Sequence, residues 1–265
     1  MAKVLILAPK FDTATALWYP WLIHEYPKPF EDHNVEVIVL RKEEDVKDKV
    51  HETILEHEVD AILGVGHGHY AIFTGQKMEV IFRACAYDKK LVKDRNFAPV
   101  SCYVGRELLP DMVKKGLACG LGEVTTYSFA AIGGDPLKDP ILALFTKSEL
   151  QYWKSLLAGK THREAWFEMK QAYYAAADSC KYPHVAALLR KDADNRKKFG
   201  DDNWRLVEAP PGPPSPPQPT GRYIIKIPER IEEVEVNLSY AGRPIRGKAT
   251  IKKPELEIIV EPEEK

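Results

Sequence analysis

The sequence has no long apolar run, almost no net charge and no paired cysteines. Lys and Arg (38) nearly balance Asp and Glu (39), giving a formal charge of −1, so no electrostatic field favours nucleic acid or an anionic membrane surface. The apolar stretch that opens the chain, M-A-K-V-L-I-L-A, is too short for a signal peptide or a membrane span. These absences predict a soluble, cytoplasmic protein that binds neither nucleic acid nor membranes.

The four cysteines lie far apart, without a C-x-x-C pair. This spacing gives no zinc motif and no disulfide framework, so we expect neither a metal nor another cofactor. Cys119 lies within L-A-C-G-L-G, and Cys85 lies within an apolar pattern of helical spacing. Both are predicted to be buried, unreactive thiols. Cys102 differs because it directly follows the end of a short apolar run.

Apolar runs alternate with segments of helical periodicity over the first part of the chain. Near-continuous aliphatic runs predict strands at 3–7, 35–40, 61–65, 98–100 and 117–121. Apolar residues at helical spacing indicate helices at 46–56, 77–91 and 110–115. Further helices are expected after residue 142, one of them opened by a capping box of Thr161 and Glu164. This order predicts an α/β fold with a mostly parallel sheet flanked by helices.

The end of the chain has a different composition. Charged residues crowd 190–202, which is predicted to be a solvated surface segment. Seven prolines between 210 and 219 predict a semi-rigid linker at 209–220. Beyond it, R-Y-I-I-K-I, E-V-E-V-N-L-S-Y, R-G-K-A-T-I and E-L-E-I-I-V largely alternate with period two, which indicates a small all-β module at 221–265. We therefore expect an α/β domain over 1–208, the linker, and this module.

Two reactive side chains follow neighbouring predicted strands. His67 comes after the run 61–65 and Cys102 comes after the run 98–100. The carboxyl ends of parallel strands meet at one edge of a sheet, where sites form. An imidazole there can accept the proton of a thiol and so generate the thiolate nucleophile. The pair predicts nucleophilic catalysis, with Cys102 as the nucleophile and His67 as the base.

Glycines surround both residues. Gly66 and Gly68 flank His67, and Gly105 follows Cys102. An oxyanion hole needs backbone N–H groups free of side-chain obstruction, and the amides of Gly68 and Cys102 are the candidates. His69 could compete for the role of base, but His67 is preferred because it lies closer to the strand end.

The order of these motifs resembles the caspase-like cysteine peptidases, nearest to their gingipain-like or clostripain-like branches. The resemblance rests on G-V-G-H-G, on V-S-C-Y-V-G, on L-L-P-D-M-V-K-K-G-L-A-C-G-L-G-E, and on L-L-A-G-K-T-H-R-E-A-W-F-E-M-K-Q-A-Y. It covers roughly residues 3–178. It implies peptide-bond hydrolysis through an acyl-enzyme at Cys102, with His67 as general base and acid and Gly68 as an oxyanion donor. The expected partner is a peptide or protein substrate; self-association into a homo-oligomer is compatible with this class. No third triad member is required, and none is nominated.

The resemblance also points to substrate-binding positions. Members that cleave after Arg or Lys often carry an acidic residue two positions before the cysteine, where this chain has Val100. The pocket also draws on the loop after the fifth strand, here Thr126, Tyr127 and Ser128, which has no charge beyond Glu123. A basic specificity is therefore unsupported, and Arg106 raises the question of an acidic one.

Two other interpretations remain open. A PfpI-type, amidotransferase-like hydrolase also places a lone cysteine at a strand-to-helix elbow, but it usually adds a histidine after the cysteine and a glutamate near the first loop. This chain has Tyr103 and Asp12 instead. A non-catalytic, flavodoxin-like binding or scaffold domain would make Cys102 a buried thiol and His67 a satisfied loop histidine.

Overall fold

The computed structural model describes residues 1–208 and five strands beyond them, at 221–226, 239–240, 243–244, 247–252 and 255–260. The chain divides into two compact units, Met1–Pro210 and Pro211–Lys265. The predicted proline-rich linker at 209–220 lies outside the described residues.

The first unit alternates strands with helices, as the apolar pattern predicts. Its strands are β1 (Lys3–Ala8), β2 (Glu36–Arg41), β3 (Ala61–Val65), β4 (Gly68–His69), β5 (Ile72–Thr74), β6 (Val80–Arg83), β7 (Asn96–Val100), β8 (Cys119–Glu123) and β9 (Arg196–Gly200). Its helices are α1 (Thr13–Pro20), α2 (Pro27–Glu31), α3 (Lys47–His57), α4 (Leu108–Lys114), α5 (Leu142–Leu157), α6 (His162–Ser179) and α7 (Pro183–Asn195).

Six of these strands form the main sheet, in the order β2-β1-β3-β7-β8-β9. The first five strands in this order run parallel, and β9 pairs antiparallel with β8 at the edge. β3 and β7 are the two central strands, and their register pairs Val65 with Val100. The predicted α/β fold, a mostly parallel sheet flanked by helices, is confirmed.

The sheet has a core on each face, because side chains of a strand point alternately to opposite faces. In β1, Val4, Ile6 and Ala8 join the core that is shared with α1, α5, α6 and α7. Leu5 and Leu7 join the other core, which is shared with α3 and α4. Both faces are therefore covered, which explains why the central strands are almost continuously apolar.

The predicted helix at 77–91 is wrong. Val80–Arg83 is the third strand of a small antiparallel sheet, β4-β5-β6, which follows directly after His67. Lys77, Met78 and Cys85 have φ values of 53°, 65° and 65°, a left-handed conformation that a helix does not accommodate. Cys85 is consequently an exposed turn residue and not the predicted buried thiol, whereas Cys119 is buried as predicted.

The prediction of a solvated surface segment at 190–202 is correct for some positions of this stretch and wrong for others. This stretch ends α7 and forms the edge strand β9. Asp192 and Arg196 are fully buried within it, and the Arg196 guanidinium forms an ion pair of 3.0 Å with Glu149. Charge density therefore did not indicate exposure at these two positions, because the fold supplies partners for them: Glu149 and the Pro99 carbonyl for Arg196, and the Ser128 N–H for Asp192.

The second unit contains short antiparallel pairings. β10 (Gly221–Lys226) and β13 (Gly247–Lys252) both pair with β14 (Glu255–Val260), and β11 (Ser239–Tyr240) pairs with β12 (Arg243–Pro244). Three of the four predicted strand segments thus correspond to β10, β13 and β14. Most of the fourth, E-V-E-V-N-L-S-Y, lies outside the described residues.

Candidate active site

The central strands β3 and β7 end side by side. Their parallel pairing extends to Val65 and Val100, and the Gly66 N–H donates to the Val100 carbonyl at 3.2 Å. His67 and Cys102 each follow two positions after these last paired residues, at the same carboxyl edge. Both line one cavity of about 100 Å³. The structure therefore brings the two predicted catalytic residues to one site.

A carboxylate holds the His67 ring. Nε2 of His67 lies 2.5 Å from Oδ2 of Asp12, and the Phe11 ring stands edge-on to the imidazole at 5.9 Å. Asp12 follows β1, the strand beside β3, and its other oxygen accepts the Thr15 N–H at 2.8 Å, which caps α1. With Nε2 engaged by Asp12, Nδ1 is the ring nitrogen left for a thiol.

Asp12 remains charged over the neutral pH range. Partial burial by itself would raise the pKa of this carboxyl, but hydrogen bonds from the Thr15 backbone and the His67 ring outweigh burial and lower the pKa. Sequence reasoning did not nominate this residue as a third member. Part of the signal was present, because Asp12 follows the last residue of the buried strand β1 by four positions, at the carboxyl edge that also carries His67.

The Cys102 thiol is half-buried in the cavity wall. Its sulfur lies 3.9 Å from the Tyr127 carbonyl, to which the thiol donates. Burial raises the pKa of this thiol, and the nearby Glu123 carboxyl adds to the increase. Between residues 1 and 208, no hydrogen bond joins this sulfur to the His67 ring. The arrangement is that of a protonated, resting thiol, and catalytic contacts of this kind often tighten only around substrate.

The Gly68 amide has a defined direction. The Thr74 N–H donates to the His67 carbonyl at 2.9 Å, and Gly68 pairs with Phe73 one step further along the β4-β5 ladder. Hydrogen-bonded and non-bonded pairs alternate in an antiparallel ladder. Gly68 and Phe73 are therefore a non-bonded pair, so the Gly68 N–H points away from β5 and is not used by the ladder.

Gly68 is packed against the loop that carries the thiol. A Cβ at this position would lie 2.3 Å from Ser101 Oγ and 2.7 Å from the Cys102 carbonyl oxygen. Only glycine permits this approach without displacing the neighbouring backbone. The Cys102 amide also donates to no backbone acceptor in the described α/β unit. The two predicted oxyanion donors thus lie on segments in direct contact.

The predicted substrate-binding residues divide into two pairs. Val100 and Tyr127 line the cavity. Thr126 is exposed and donates its hydroxyl to Tyr103 at 2.9 Å, while the Ser128 hydroxyl accepts from Lys191 at 2.6 Å. The structure therefore places two of the four in the cavity and directs the other two elsewhere.

Two further candidates lie outside the cavity. His69 stacks on the Tyr70 ring, with centroids 4.5 Å apart. Arg106 donates from Nε to the Val124 carbonyl at 2.5 Å and also lies over the Tyr70 ring. Neither residue lines the cavity. His69 is therefore not placed as an alternative base, and Arg106 gives no support to an acidic specificity.

Two buried carboxyls lie close to the loop after β8: Glu123, which precedes it in the sequence, and Asp192, which α7 brings to it. Asp192 Oδ1 accepts the Ser128 N–H at 3.3 Å, and burial raises the pKa of Asp192 to about 7. Glu123 is fully buried, and burial raises the pKa of its carboxyl well above the usual range. The Tyr127 and Tyr173 hydroxyls lie 2.9 Å apart in the same layer. Asp192, Glu123 and Tyr173 support the loop after β8 from outside the cavity lining, whereas Tyr127 is part of that lining.

Over the described residues, no three His, Cys, Asp or Glu side chains are grouped in a way that could hold a metal ion. No described helix combines the length and apolar character needed to cross a bilayer.

The mostly parallel sheet, its helical layers and the carboxyl-edge cavity define a caspase-like α/β fold. No known family profile matches the sequence, and no curated protein matches it. The structure is similar to gingipain R, described as an Arg-specific cysteine proteinase, with a TM-score of 0.49 and 11% identity, over 98% of this chain and 60% of that one. It is also similar to the complex of the pro- and mature domains of Porphyromonas gingivalis RgpB, with a TM-score of 0.54 and 12% identity, over 98% of this chain and 62% of that one. This chain thus spans less than two thirds of either.

Proposed function

We propose that this protein is a cysteine endopeptidase, with Cys102 as nucleophile and His67 as general base and acid. The observation that carries the proposal is that Cys102 and an Asp12-held His67 line one cavity at the carboxyl ends of adjacent strands. The caspase-like fold, which this chain shares with RgpB, supports the same reaction class, since gingipain R (RGPB) is described as a cysteine proteinase. A peptide or protein is the substrate.

The chemistry follows from the roles of the groups. His67 Nδ1 takes the thiol proton, and the Cys102 thiolate attacks the scissile carbonyl carbon. The oxygen of that carbonyl becomes negatively charged, and the amides of Gly68 and Cys102 donate to it. The imidazolium then protonates the leaving amine as the C–N bond breaks. His67 next deprotonates a water that attacks the thioester, which releases the acid and restores the thiol.

Asp12 acts as a positioning residue in this scheme. Its carboxylate fixes the ring orientation through Nε2 and stabilises the imidazolium that forms when Nδ1 accepts the proton. Substrate binding has to bring the thiol from the Tyr127 carbonyl to the imidazole.

The two alternative functions have less support. The PfpI-type site places its cysteine at a strand-to-helix elbow, whereas α4 begins at Leu108, six positions after Cys102. A PfpI-type site usually also has a glutamate near the first loop. Asp12 does not take the place of this glutamate, because the Asp12 carboxylate is hydrogen-bonded to His67. A purely structural role for His67 and Cys102 does not explain why both line an open cavity.

The test is selective modification of the thiols in the full-length protein. Iodoacetamide and a series of peptidyl acyloxymethyl ketones are applied at about pH 6, where ordinary thiols with a pKa near 8.5 are protonated, and adducts are mapped by mass spectrometry. Cys180 is a matched reference because it is half-buried like Cys102. We expect Cys102 to react at least about tenfold faster with the ketones, and the difference to disappear in His67→Ala. Equal reactivity of Cys102 and Cys180 would rule out the dyad.

A further inference from the structure

The cavity beside Cys102 is predominantly apolar. Six of the residues that line it carry apolar or aromatic side chains, namely Ala14, Trp18, Val65, Val100, Tyr127 and Phe129. The other described residues of the lining are Thr15, Gly66, His67, Ser101 and Cys102, so none of the described lining residues is Asp, Glu, Lys or Arg. Cys102 attacks a carbonyl carbon, and the Cα bonded to that carbon carries the substrate side chain. This side chain therefore lies close to Cys102, and the cavity is the space available to it.

We infer that this cavity binds the side chain on the acyl side of the scissile bond and selects an uncharged aliphatic residue there, such as Leu, Val or Met. The inference rests on the proposed peptidase function and adds the substrate class to it. It differs from the arginine specificity stated for gingipain R.

Among the described residues near the site, Asp12, Arg106 and Lys191 are already hydrogen-bonded and do not line the cavity. The two Asp12 oxygens are taken by Thr15 and His67. Arg106 is bonded to the Val124 carbonyl, and Lys191 is bonded to the loop after β8. A charged substrate side chain in the cavity would be removed from water without a partner, which is strongly unfavourable.

The size of the cavity restricts the choice further. An apolar cavity of about 150 Å³ holds a benzene ring, and this one measures about 100 Å³, which suits a branched or linear aliphatic chain. Two aromatic walls are rigid: Trp18 meets Tyr127 edge-on at 6.0 Å, and the Tyr127 hydroxyl is hydrogen-bonded to Tyr173. Phe129 also meets Trp18 edge-on at 6.0 Å, but it carries no polar tether, so it is the wall most easily changed.

Two polar atoms among the lining residues have no hydrogen-bond partner in the described part of the chain, Trp18 Nε1 and Ser101 Oγ. Both can donate a hydrogen bond. Such donors would favour an asparagine side chain over an aliphatic one, and asparagine is also uncharged. Substrates with asparagine at the cleaved position must therefore be included in the test.

The first experiment is a specificity profile of the full-length protein. A peptide library that presents every residue type is digested, the new termini are mapped by mass spectrometry, and Cys102→Ala serves as the blank. We expect cleavage after Leu, Val or Met to exceed cleavage after Arg, Lys, Asp, Asn or Phe by at least about tenfold. A preference for a charged residue, asparagine or an aromatic residue overturns the inference while leaving the peptidase function intact. Absence of any Cys102-dependent cleavage overturns both.

The second experiment changes the walls. Phe129→Ala enlarges the cavity and is expected to raise the ratio of cleavage after Phe to cleavage after Leu by about tenfold. Phe167→Ala is the matched control, because this ring is 56% exposed on α6 and absent from the lining. Ala14→Leu narrows the cavity from the start of α1 and is expected to shift preference from Leu towards Ala. If neither wall variant changes the ratios, the cavity does not bind this side chain.

Discussion

The hydrogen bond between Asp12 and His67 provides a sharp test of the catalytic geometry through Asp12→Asn. Asparagine is as good a helix N-cap as aspartate, so the contact to the Thr15 backbone that opens α1 is kept. The substitution removes the negative charge that faces His67 Nε2 at 2.5 Å. Its effect on activity therefore reports how the carboxylate orients and stabilises the imidazole, while the N-cap that α1 needs for folding is kept.

The magnitude follows from the exposure of the pair. The Asp12 and His67 side chains are 35% and 37% exposed. The interaction free energy of the pair should therefore lie between that of a surface ion pair, about 0–1 kcal/mol, and that of a hydrogen bond to a charged group, about 1.5–3 kcal/mol. A loss of about 1–2 kcal/mol corresponds to roughly a 5- to 30-fold decrease in rate. The decrease should appear in kcat and not in KM, because the negative charge of Asp12 matters most once the imidazolium has formed.

The assay is steady-state hydrolysis of a peptide cleaved by the wild-type protein, across pH. Because the pKa of Asp12 is lowered, its carboxylate stays charged at mildly acidic and neutral pH, so the rate advantage of wild type over Asp12→Asn should persist down to about pH 5 and be lost only at more acidic pH, where Asp12 takes up a proton. Asp88→Asn is the matched control, since Asp88 also caps a helical turn, through the Lys90 N–H, whereas within the described residues it is Asp12 that is hydrogen-bonded to His67. An unchanged kcat in Asp12→Asn, with the wild-type melting temperature, would refute the positioning role.

Two further substitutions test the oxyanion site and the buried charges. Gly68→Ala should lower kcat/KM by roughly 10²-fold, because its Cβ would lie 2.3 Å from Ser101 Oγ and displace the Cys102 carbonyl; activity within twofold of wild type would contradict this. Asp45 is fully buried, and burial together with Glu79 raises the pKa of Asp45 to about 8. The native state then keeps a proton that the unfolded state releases, so stability falls as pH rises from about 4 to 8. Asp45→Asn should remove this slope and stabilise the protein at pH 7 by at most about 4 kcal/mol, and urea unfolding of both proteins at pH 5 and 7 checks it.

Local patterns were sufficient for much of the fold. The aliphatic runs located the central strands, and the capping box of Thr161 and Glu164 marks the start of α6 as predicted. These features depend on neighbours within a few residues, which a sequence displays directly. The meeting of His67 and Cys102 at one edge also followed from the sequence, because parallel strands end at a common edge whatever their exact register.

The failures have a common physical cause, namely contacts between distant parts of the chain. The helix predicted at 77–91 was drawn from apolar spacing, but Phe82 packs on Phe97 of β7 and the segment becomes a strand. Asp12 and His67 are 55 positions apart. The role of Asp12 as an N-cap is visible locally, whereas its hydrogen bond to His67 depends on the order of strands in the sheet.

The burial of Asp192 and Arg196 shows the same limit. A run rich in charges is usually solvated, and burial of Arg196 depends on its ion pair with Glu149 and on its hydrogen bond to the Pro99 carbonyl at 2.6 Å. These partners lie on α5 and β7, far away in the sequence, so no local pattern predicts them.

The central position of β3 and β7 has a consequence for how the protein fluctuates. Both strands have neighbours on each side, while β2 and β9 are the edges of the sheet. Partial opening of a native protein begins where backbone hydrogen bonds are least protected, so amide hydrogens of β2 and β9 should exchange with solvent well before those of β3 and β7. Fraying of the edges then leaves the distance between the two reactive residues unchanged. A sheet built in this order keeps its site assembled in most of the partly open forms that the molecule visits.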